Sequence, residues 1–218
     1  MIKAEGIKKS YENLEVLKGI DLEIKKSEIV SIVGASGAGK STLLHILGSL
    51  DQADSGKVWI DNIEISKLKQ KKLAEFRNQK IGFVFQSHHL LPEFSAIENI
   101  MMPAWIARQA KKQAYSKAMD LLSLMNLENR KDHRPSELSG GEQQRVAVCR
   151  SLVNNPTVIF ADEPSGNLDS QSAQMLHKLF FELRDQFGQT FVIVTHNNEL
   201  ADMADRKLVM KDGSLLDS

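Results

Sequence analysis

The sequence predicts an α/β fold with a mostly parallel sheet, an antiparallel β edge near the amino terminus and an inserted helical segment. Two observations support the parallel sheet. A glycine-rich loop at residues 34–42 lies between an apolar strand and a helix. Further along, two nearly continuous apolar runs, at residues 157–161 and 190–195, each end on polar side chains. Such runs are typical of parallel strands that are buried on both faces.

Length and composition narrow the class of protein. The 218 residues are enough for one well-buried core and for one domain or at most two. With 28 Lys and Arg against 28 Asp and Glu, the chain has no net charge, so composition does not favour a nucleic-acid partner. The single cysteine, Cys149, suits a reducing compartment. No stretch resembles a signal peptide or a membrane span, so we expect a cytosolic protein without direct membrane insertion.

The amino-terminal region predicts two strands, at residues 2–7 and 16–24, which form the antiparallel edge. In the second strand Ile20, Leu22 and Ile24 alternate with polar residues, the pattern of a strand with one solvated face. Tyr11 lies between these strands. Its position fits strand packing and stacking on a flat ligand ring equally well.

The glycine-rich loop predicts a phosphate-binding site. It has the sequence Gly34-Ala35-Ser36-Gly37-Ala38-Gly39-Lys40-Ser41-Thr42, which completes the pattern G-x-x-x-x-G-K-[ST]. Glycines let backbone N–H groups surround an anion without Cβ clashes, and the positive end of the following helix points to the same place. Lys40 is expected to neutralise the β and γ phosphates, and the Ser41 hydroxyl to bind Mg²⁺. The alternative is a flexible glycine turn.

The middle of the chain predicts a strand at residues 80–86 and then a helical segment. Gln86 ends that strand, either as a boundary residue or as a ligand contact at the carboxyl edge of the sheet. From about residue 88 to 153 helical spacing replaces strands, so we predict a helical subdomain between core segments at about 1–87 and 154–218. Pro92 and Pro103 are expected to frame the helix or loop that opens it.

A second candidate anion site lies at Ser139-Gly140-Gly141-Glu142, where another helix begins. A capping box from Ser139 to Glu142 would explain those two residues without any ligand. The two glycines are harder to explain, because each costs up to about 1 kcal/mol relative to alanine in a helix. We therefore expect something to approach this backbone closely, and an anion is the natural candidate.

Polar residues also follow the two apolar strands. Asp162 and Glu163 end the strand at 157–161, and adjacent carboxylates there are costly unless they serve a cation or a reaction. Because neighbours on extended backbone point opposite ways, one acid can bind Mg²⁺ while the other addresses a water molecule. Asp169 fits the N-cap of the next helix. His196 follows the strand at 190–195 to the same edge, where a structural cap is the alternative.

Taken in chain order, these motifs resemble the ATP-binding subunit of ABC transporters. Leu138-Ser139-Gly140-Gly141-Glu142-Gln143 matches the signature of that family, which is absent from other phosphate-loop proteins. The resemblance runs over essentially the whole chain. It implies a P-loop NTPase fold with a RecA-like core, an antiparallel β edge subdomain and an inserted helical subdomain. It also implies a head-to-tail homodimer, in which each ATP lies between the phosphate loop of one subunit and Ser139-Gly140-Gly141 of the other.

The resemblance assigns nucleotide and metal contacts. It places Tyr11 against adenine and residues 34–42 around the phosphates, with Lys40 on the phosphates themselves. It places Ser41, Gln86 and Asp162 around Mg²⁺.

The resemblance also assigns catalytic and interface roles. Glu163 would polarise the attacking water, and His196 would contact the γ-phosphate. Residues Ser139 to Glu142 would face the ATP of the partner subunit, and Asp169 would lie at the dimer interface. Transmembrane permease subunits would dock between Gln86 and Pro103, so the ATPase would work as a peripheral protein on the cytoplasmic face of the inner membrane.

Two segments narrow the resemblance within the family. Residues 86–103 and 162–169 are similar to the ATPases that release lipoproteins from the inner membrane of bacteria with an outer membrane. Gly166-Asn167-Leu168-Asp169 is shared with MacB-like efflux ATPases and FtsE-like cell-division ATPases, which stay open as alternatives, whereas His88-His89-Leu90-Leu91-Pro92 discriminates better. A soluble ATP-binding clamp of the same family is a further alternative. Such relatives usually carry a coiled-coil insertion or a second nucleotide domain.

Overall fold

The computed structural model describes residues 1–216. The strands are β1 (Ile2–Tyr11), β2 (Leu14–Ile24), β3 (Ile29–Val33), β4 (Ser55–Ile60), β5 (Ile63–Glu64), β6 (Ile81–Phe85), β7 (Val158–Asp162), β8 (Thr190–Val194), β9 (Arg206–Lys211) and β10 (Ser214–Leu216). The α-helices are α1 (Lys40–Leu47), α2 (Gln70–Lys80), α3 (Ala96–Ile106), α4 (Lys111–Leu124), α5 (Gly140–Leu152), α6 (Ser170–Phe187) and α7 (Asn198–Met203). None of the helices in this part of the chain is both long and apolar enough to cross a membrane.

The larger sheet has six strands in the order β10-β9-β3-β8-β7-β6, and all neighbours are parallel except β9 and β10. The predicted parallel sheet is thereby confirmed. Its register pairs Phe85 with Asp162, and Asp162 with Val194. The residues that follow β6, β7 and β8 therefore emerge at one edge of the sheet, as expected for the carboxyl ends of parallel strands.

The smaller sheet is the predicted antiparallel edge, with strand order β2-β1-β4-β5. Its first two strands are longer than predicted, because β1 continues to Tyr11 and β2 already begins at Leu14. A tight turn at Glu12-Asn13 connects them, with Glu12 at a φ of 53°. The long hairpin brings the end of β1 towards the glycine-rich loop.

Between Phe85 and Val158 the chain forms only helices and turns, in agreement with the helical spacing of the sequence. The first of these helices, α3, begins at a capping box in which the Ser95 side chain accepts from Glu98 and Glu98 accepts from Ser95. Pro103 lies inside α3, which continues to Ile106. The expectation that Pro103 frames this helix is therefore wrong at its carboxyl end. A proline inside a helix removes one helical hydrogen bond, and α3 ends three residues after Pro103.

The hydrophobic core lies on both faces of the parallel sheet, because alternate residues of each buried strand point to opposite sides. In β7, Val158 and Phe160 pack with the antiparallel sheet and α1. Ile159 and Ala161 pack with helices α3 to α6. The predicted helical subdomain shares this second cluster with the sheet, so its packing is continuous with the strands that end at the polar edge.

Candidate active site

An open cleft of about 580 Å³ lies at the carboxyl edge of the parallel sheet. It collects residues from five segments: the end of β1, the start of β2, the glycine-rich loop, and the ends of β7 and β8. The lining residues are Tyr11, Leu14, Val16, Gly34, Ser36, Gly37, Gly39, Lys40, Ser41, Thr42, Glu163, Val194 and His196. Most of the predicted nucleotide contacts therefore meet in one place. Of the loop residues, Ala35 and Ala38 are not in this lining, and Ala38 is buried in the core.

The glycine-rich loop is held by the end of the sheet. A Cβ on Gly34 would lie well inside van der Waals contact of the Met210 carbonyl oxygen, so β9 leaves room only for glycine. Lys40 donates from Nζ to the carbonyl oxygens of Gly34 and Ala35, at 2.9 and 3.0 Å. The ammonium group is therefore held over the loop, where a bound phosphate would need it.

The amino-terminal end of α1 is suited to an anion. Its N-cap is Gly39, and within residues 1–216 no side chain accepts a hydrogen bond from the first turn. The first N–H groups of a helix have no acceptor in the helix itself, and they carry the positive end of its dipole. A phosphate would supply acceptors at this position. The sequence-based prediction of an anion cradle thus agrees with the local structure.

Ser41 and Asp162 form the polar pair at the base of the cleft. The Ser41 hydroxyl donates to Oδ1 of Asp162 at 3.0 Å, and Nε2 of His45 lies 3.6 Å from Oδ2. Burial raises the pKa of Asp162, and the Ser41 hydrogen bond opposes this effect. A partly buried carboxylate whose burial opposes its ionisation fits a site for a hard cation.

The donor set fits Mg²⁺ in particular. Within the described residues, no group of three or more His, Cys, Asp or Glu side chains could bind a metal ion by itself. Mg²⁺ is usually bound by one or two protein oxygen ligands together with substrate phosphates and water. One carboxylate and one hydroxyl next to a phosphate cradle match that arrangement.

The Gln86 side chain is hydrogen-bonded to Asn167 and not to Ser41 or Asp162. Its side-chain amide donates to Oδ1 of Asn167 at 2.9 Å, and the Asn167 amide donates back to the Gln86 carbonyl oxygen at 3.3 Å. Gln86 does follow β6 at the correct edge of the sheet, but it is turned towards the segment after Glu163. Its predicted contact with Mg²⁺ therefore stays a prediction.

Glu163 and His196 form a second polar pair at the rim. Nδ1 of His196 lies 2.8 Å from Oε2 of Glu163, and the His196 backbone N–H donates to the same oxygen at 3.2 Å. The Glu163 side chain is 21% exposed and the His196 ring 71% exposed, so the carboxylate is shielded while the ring faces solvent. Glu163 has a φ of 47°, in the left-handed region. As predicted, Asp162 and Glu163 contact different groups. Their side chains diverge because of the left-handed turn at Glu163, however, and not because the backbone is extended.

Tyr11 contacts a residue that the sequence did not indicate. Its hydroxyl donates to Oδ2 of Asp51 at 2.6 Å, while Nζ of Lys9 lies 5.1 Å from the ring centroid and 3.1 Å from Oδ1 of Asp51. This hydrogen bond raises the pKa of Tyr11. The exposed ring shares the cleft wall with Leu14 and Val16, two further residues that the sequence analysis missed. Their only local signal is their place at the start of β2.

The second glycine-rich helix start lies outside the cleft lining. The predicted capping box is confirmed, because the Glu142 N–H donates to Ser139 Oγ at 3.2 Å and the Ser139 N–H donates to Glu142 at 2.8 Å. The two glycines differ. A Cβ on Gly141 would lie 2.8 Å from Oγ of Ser172, whereas the nearest atom to a Cβ on Gly140 would be 3.9 Å away. The close neighbour of Gly141 is thus Ser172 of its own chain, and only Gly140 is open to an incoming group.

Asp169 is the N-cap of α6, as its sequence position predicts. Its Oδ1 accepts from the Ser172 N–H at 2.9 Å, and its Oδ2 accepts from Ser172 Oγ at 2.7 Å. These hydrogen bonds lower the pKa of Asp169. Because Ser172 also packs against Gly141, the start of α6 and the start of α5 form one contiguous surface.

The phosphate cradle, the cation site and the shielded carboxylate at the end of a parallel sheet define a P-loop nucleoside triphosphatase. The family profile described as "ABC transporter" matches residues 17–166. Two solved structures of a dimeric ATP-binding cassette, one in a post-hydrolysis state bound to ADP and Pi, superpose with a TM-score of 0.91 at 40% identity. The match covers 100% of this chain and 97% of each of theirs.

Full-length relatives agree. The chain is 60% identical over 215 residues to the lipoprotein-releasing system ATP-binding protein LolD of Bacteroides thetaiotaomicron, covering 99% of both chains. It is 47% identical over 219 residues to the protein of the same name from Idiomarina loihiensis, covering 99% of this chain and 96% of the relative. The chain belongs to the ABC transporter family, and it is an ATPase of that family.

Proposed function

We propose that this protein is the ATP-hydrolysing subunit of an ABC transporter that powers the release of lipoproteins from the inner membrane. Relatives that share 60% and 47% identity over their full length carry the lipoprotein-releasing name, which supports the cargo class. The observation that carries the chemistry is the Glu163 carboxylate, held 2.8 Å from His196 at the rim of a phosphate cradle.

Binding of ATP uses the cleft wall and the glycine-rich loop. The α1 N-terminus and Lys40 bind the β and γ phosphates, because both present positive charge to one point. The Tyr11 ring stacks on adenine. Since Asp51 fixes the Tyr11 hydroxyl, the ring is already oriented before the nucleotide arrives, which lowers the entropic cost of stacking.

Ser41, Asp162 and Gln86 would hold Mg²⁺. The first two are already in contact, whereas Gln86 has to leave Asn167 to reach the ion. When bound, Mg²⁺ neutralises the charge that develops on the phosphates. Burial of Asp162 supports this assignment, because a divalent cation would relieve the cost of the ionised carboxylate.

Glu163 would accept a hydrogen bond from the attacking water and polarise it. The two donors of His196, its Nδ1 and its backbone N–H, orient the carboxylate towards the cleft. The exposed edge of the His196 ring is free to approach the γ-phosphate. General-base catalysis of this kind contributes about 10²- to 10⁴-fold in rate, or about 3 to 5 kcal/mol of barrier.

A second copy of the chain would complete the site. Residues Ser139 to Glu142 lie outside the cleft of their own chain, with Gly140 open, so we infer that they face the ATP of a partner in a head-to-tail homodimer. Asp169, next to this surface, would lie at the interface. The dimeric form of the solved cassettes supports this arrangement.

Conformational changes of the dimer would be transmitted to membrane partners. Transmembrane permease subunits would dock between Gln86 and Pro103, at the cytoplasmic face of the inner membrane. The hydrogen bond of Gln86 with Asn167 connects this segment to the residues that follow Glu163.

Glu163→Gln tests the chemistry. We expect this variant to bind ATP, to hydrolyse it about 10²- to 10⁴-fold more slowly, and to accumulate as an ATP-bound dimer in size-exclusion chromatography. Glu182→Gln, at an exposed position on α6, is the matched control and should retain full turnover. Near-normal turnover of Glu163→Gln would remove Glu163 from the role of general base.

Purification of the membrane complex tests the cargo. Permease subunits with a large periplasmic domain and lipoprotein in their cavity would support lipoprotein release. A regulator of cell-wall hydrolases in their place would contradict it and favour the cell-division alternative.

A further inference from the structure

The turn that carries Glu163 is held by its surroundings rather than by its own conformation. Glu163 has a left-handed φ of 47°, which residues other than glycine adopt only where neighbouring groups stabilise it. The Glu163 N–H donates to the Val194 carbonyl oxygen at 2.9 Å, and the Glu163 carbonyl oxygen accepts from Gly166 at 3.0 Å. The direction of the Glu163 side chain therefore depends on the placement of residues 163–166.

Two fully buried polar side chains, one from α5 and one from α6, form hydrogen bonds with this turn. Gln144 of α5, 0% exposed, donates from Nε2 to the Pro164 carbonyl oxygen at 2.6 Å. His177 of α6, 1% exposed, has Nε2 at 3.0 Å from Oγ of Ser165, itself 9% exposed. Gln144 follows the family signature directly, in the helix that begins within it. His177 belongs to no motif, and no step of the proposed mechanism uses it.

The position of His177 would otherwise suit an apolar residue. Its neighbours on the buried face of α6 are Ala173, Leu176 and Phe180. Burial lowers the pKa of His177, although the Glu199 carboxylate in the first turn of α7 acts in the opposite direction. Within the described residues, the buried Nδ1 of His177 has no hydrogen-bond partner. A buried imidazole with only one hydrogen-bonded nitrogen is in itself less favourable for folding than a leucine at the same place. Stability therefore does not explain His177, and the one polar contact that it makes is with Ser165.

Either neutral tautomer of the ring can make this contact, because Nε2 donates to Ser165 Oγ in one and accepts from the Ser165 hydroxyl in the other. The Ser165 hydroxyl is thereby fixed two residues after Glu163, inside the turn that Gly166 closes. Fixing Ser165 limits how far the turn can rotate.

We propose that the hydrogen bond between His177 and Ser165 positions Glu163 for hydrolysis. His177 is then a positioning residue of the ATPase, although it contacts neither the nucleotide nor Glu163. This inference rests on the proposed role of Glu163 as general base.

His177→Leu and Ser165→Ala remove the hydrogen bond from either side. In steady-state ATPase assays of the full chain we expect kcat to fall between about 5- and 100-fold for each variant, because small misplacements of a catalytic group have effects of this size. The KM for ATP and the binding of a fluorescent ATP analogue should change less than about twofold, since neither residue lines the cleft.

Three controls separate positioning from folding. The double variant should be no slower than either single variant, because both remove the same interaction. His177→Gln can still form a hydrogen bond with Ser165 in either direction and should recover most of kcat. His177→Leu leaves the buried Ser165 hydroxyl without a partner and should unfold at a slightly lower temperature, whereas the double variant removes both polar groups and should unfold near the wild-type temperature. If His177→Leu does not fold, Ser165→Ala alone decides.

A kcat within twofold of wild type for both single variants, while Glu163→Gln is inactive, would overturn the inference and leave the proposed function intact. Losses that add in the double variant, or a His177→Gln variant as slow as His177→Leu, would also overturn it. Normal turnover of Glu163→Gln would refute the proposed function, and the inference with it.

Discussion

Replacing Gly140 by alanine should raise the folding stability, whereas replacing Gly141 should lower it. The two glycines are nevertheless neighbours in the first turn of α5. The methyl group of Gly140→Ala would enter open space, with its nearest neighbour, Leu168, 3.9 Å away. The methyl group of Gly141→Ala would lie 2.8 Å from Oγ and 3.2 Å from Cβ of Ser172. The second substitution therefore has to displace the side chain that also binds Asp169 at the start of α6.

The magnitudes follow from two effects. Replacing glycine by alanine in a helix stabilises it by about 0.5 to 1 kcal/mol, and both variants gain this amount. Gly141→Ala also overpacks a tight contact, which costs about 1 to 3 kcal/mol. We therefore expect Gly140→Ala to raise the midpoint of thermal unfolding by about 1 to 4 °C. The free energies of unfolding of the two variants should differ by about 1 to 3 kcal/mol, the size of the packing effect.

Denaturant unfolding and ATPase assays on the same preparations test this reasoning. Gly140→Ala should be more stable than wild type and yet slower in ATP hydrolysis, because its methyl group occupies the space that a partner's phosphate would approach. Equal stability of the two variants would refute the packing argument. A stabilised Gly140→Ala protein with normal turnover would refute the assignment of Gly140 to the nucleotide.

Two further predictions concern the cleft itself. Asp162→Asn should raise the stability of the metal-free protein at neutral pH. Because burial raises the pKa of Asp162, the folded state binds its proton more tightly than the unfolded state. The cost of the ionised carboxylate is therefore complete above the raised pKa and absent below the unfolded value of about 3.9. In denaturant titrations against pH, Mg²⁺ should stabilise wild type and not the variant. Gly34→Ala forces its Cβ against the Met210 carbonyl oxygen, so its free energy of unfolding should fall by about 3 kcal/mol. Gly37→Ala has open space around its Cβ and only the strain of a φ of 79°, so its free energy of unfolding should fall by only about 1 kcal/mol. Thermal unfolding measures both changes.

Local patterns predicted the parts of this molecule whose causes are local. The strand, glycine loop and helix around residues 34–42 follow from apolar runs and from glycine, and the capping box at Ser139 follows from residue spacing. The same holds for the gathering of Glu163 and His196 at one edge, because parallel strands place their carboxyl ends together.

Contacts between distant segments were not predictable in this way. Asp51 meets Tyr11 across 40 residues, and Ser172 fills the space beside Gly141. Gln86 has the predicted place but a different partner, Asn167. Each of these depends on side-chain conformation and on the approach of helices, which hydrophobic periodicity does not encode. His177 shows the same limit, since a histidine within an apolar helix face gives no sign in the sequence of the serine that it contacts.

The separation of the two anion cradles in one chain leads to a test of the shared site. Lys40→Ala should disable the phosphate loop and leave the signature helix intact. Gly140→Asp should do the reverse, because a carboxylate suits a helix N-terminus and repels a phosphate. Each variant should be inactive alone. In an equimolar mixture of exchanging dimers, half would be mixed, and each mixed dimer would have one intact site. Activity should therefore recover to about a quarter of wild type in a head-to-tail arrangement. If each chain used only its own cradles, mixing two inactive proteins would restore nothing, since no chain in the mixture has both.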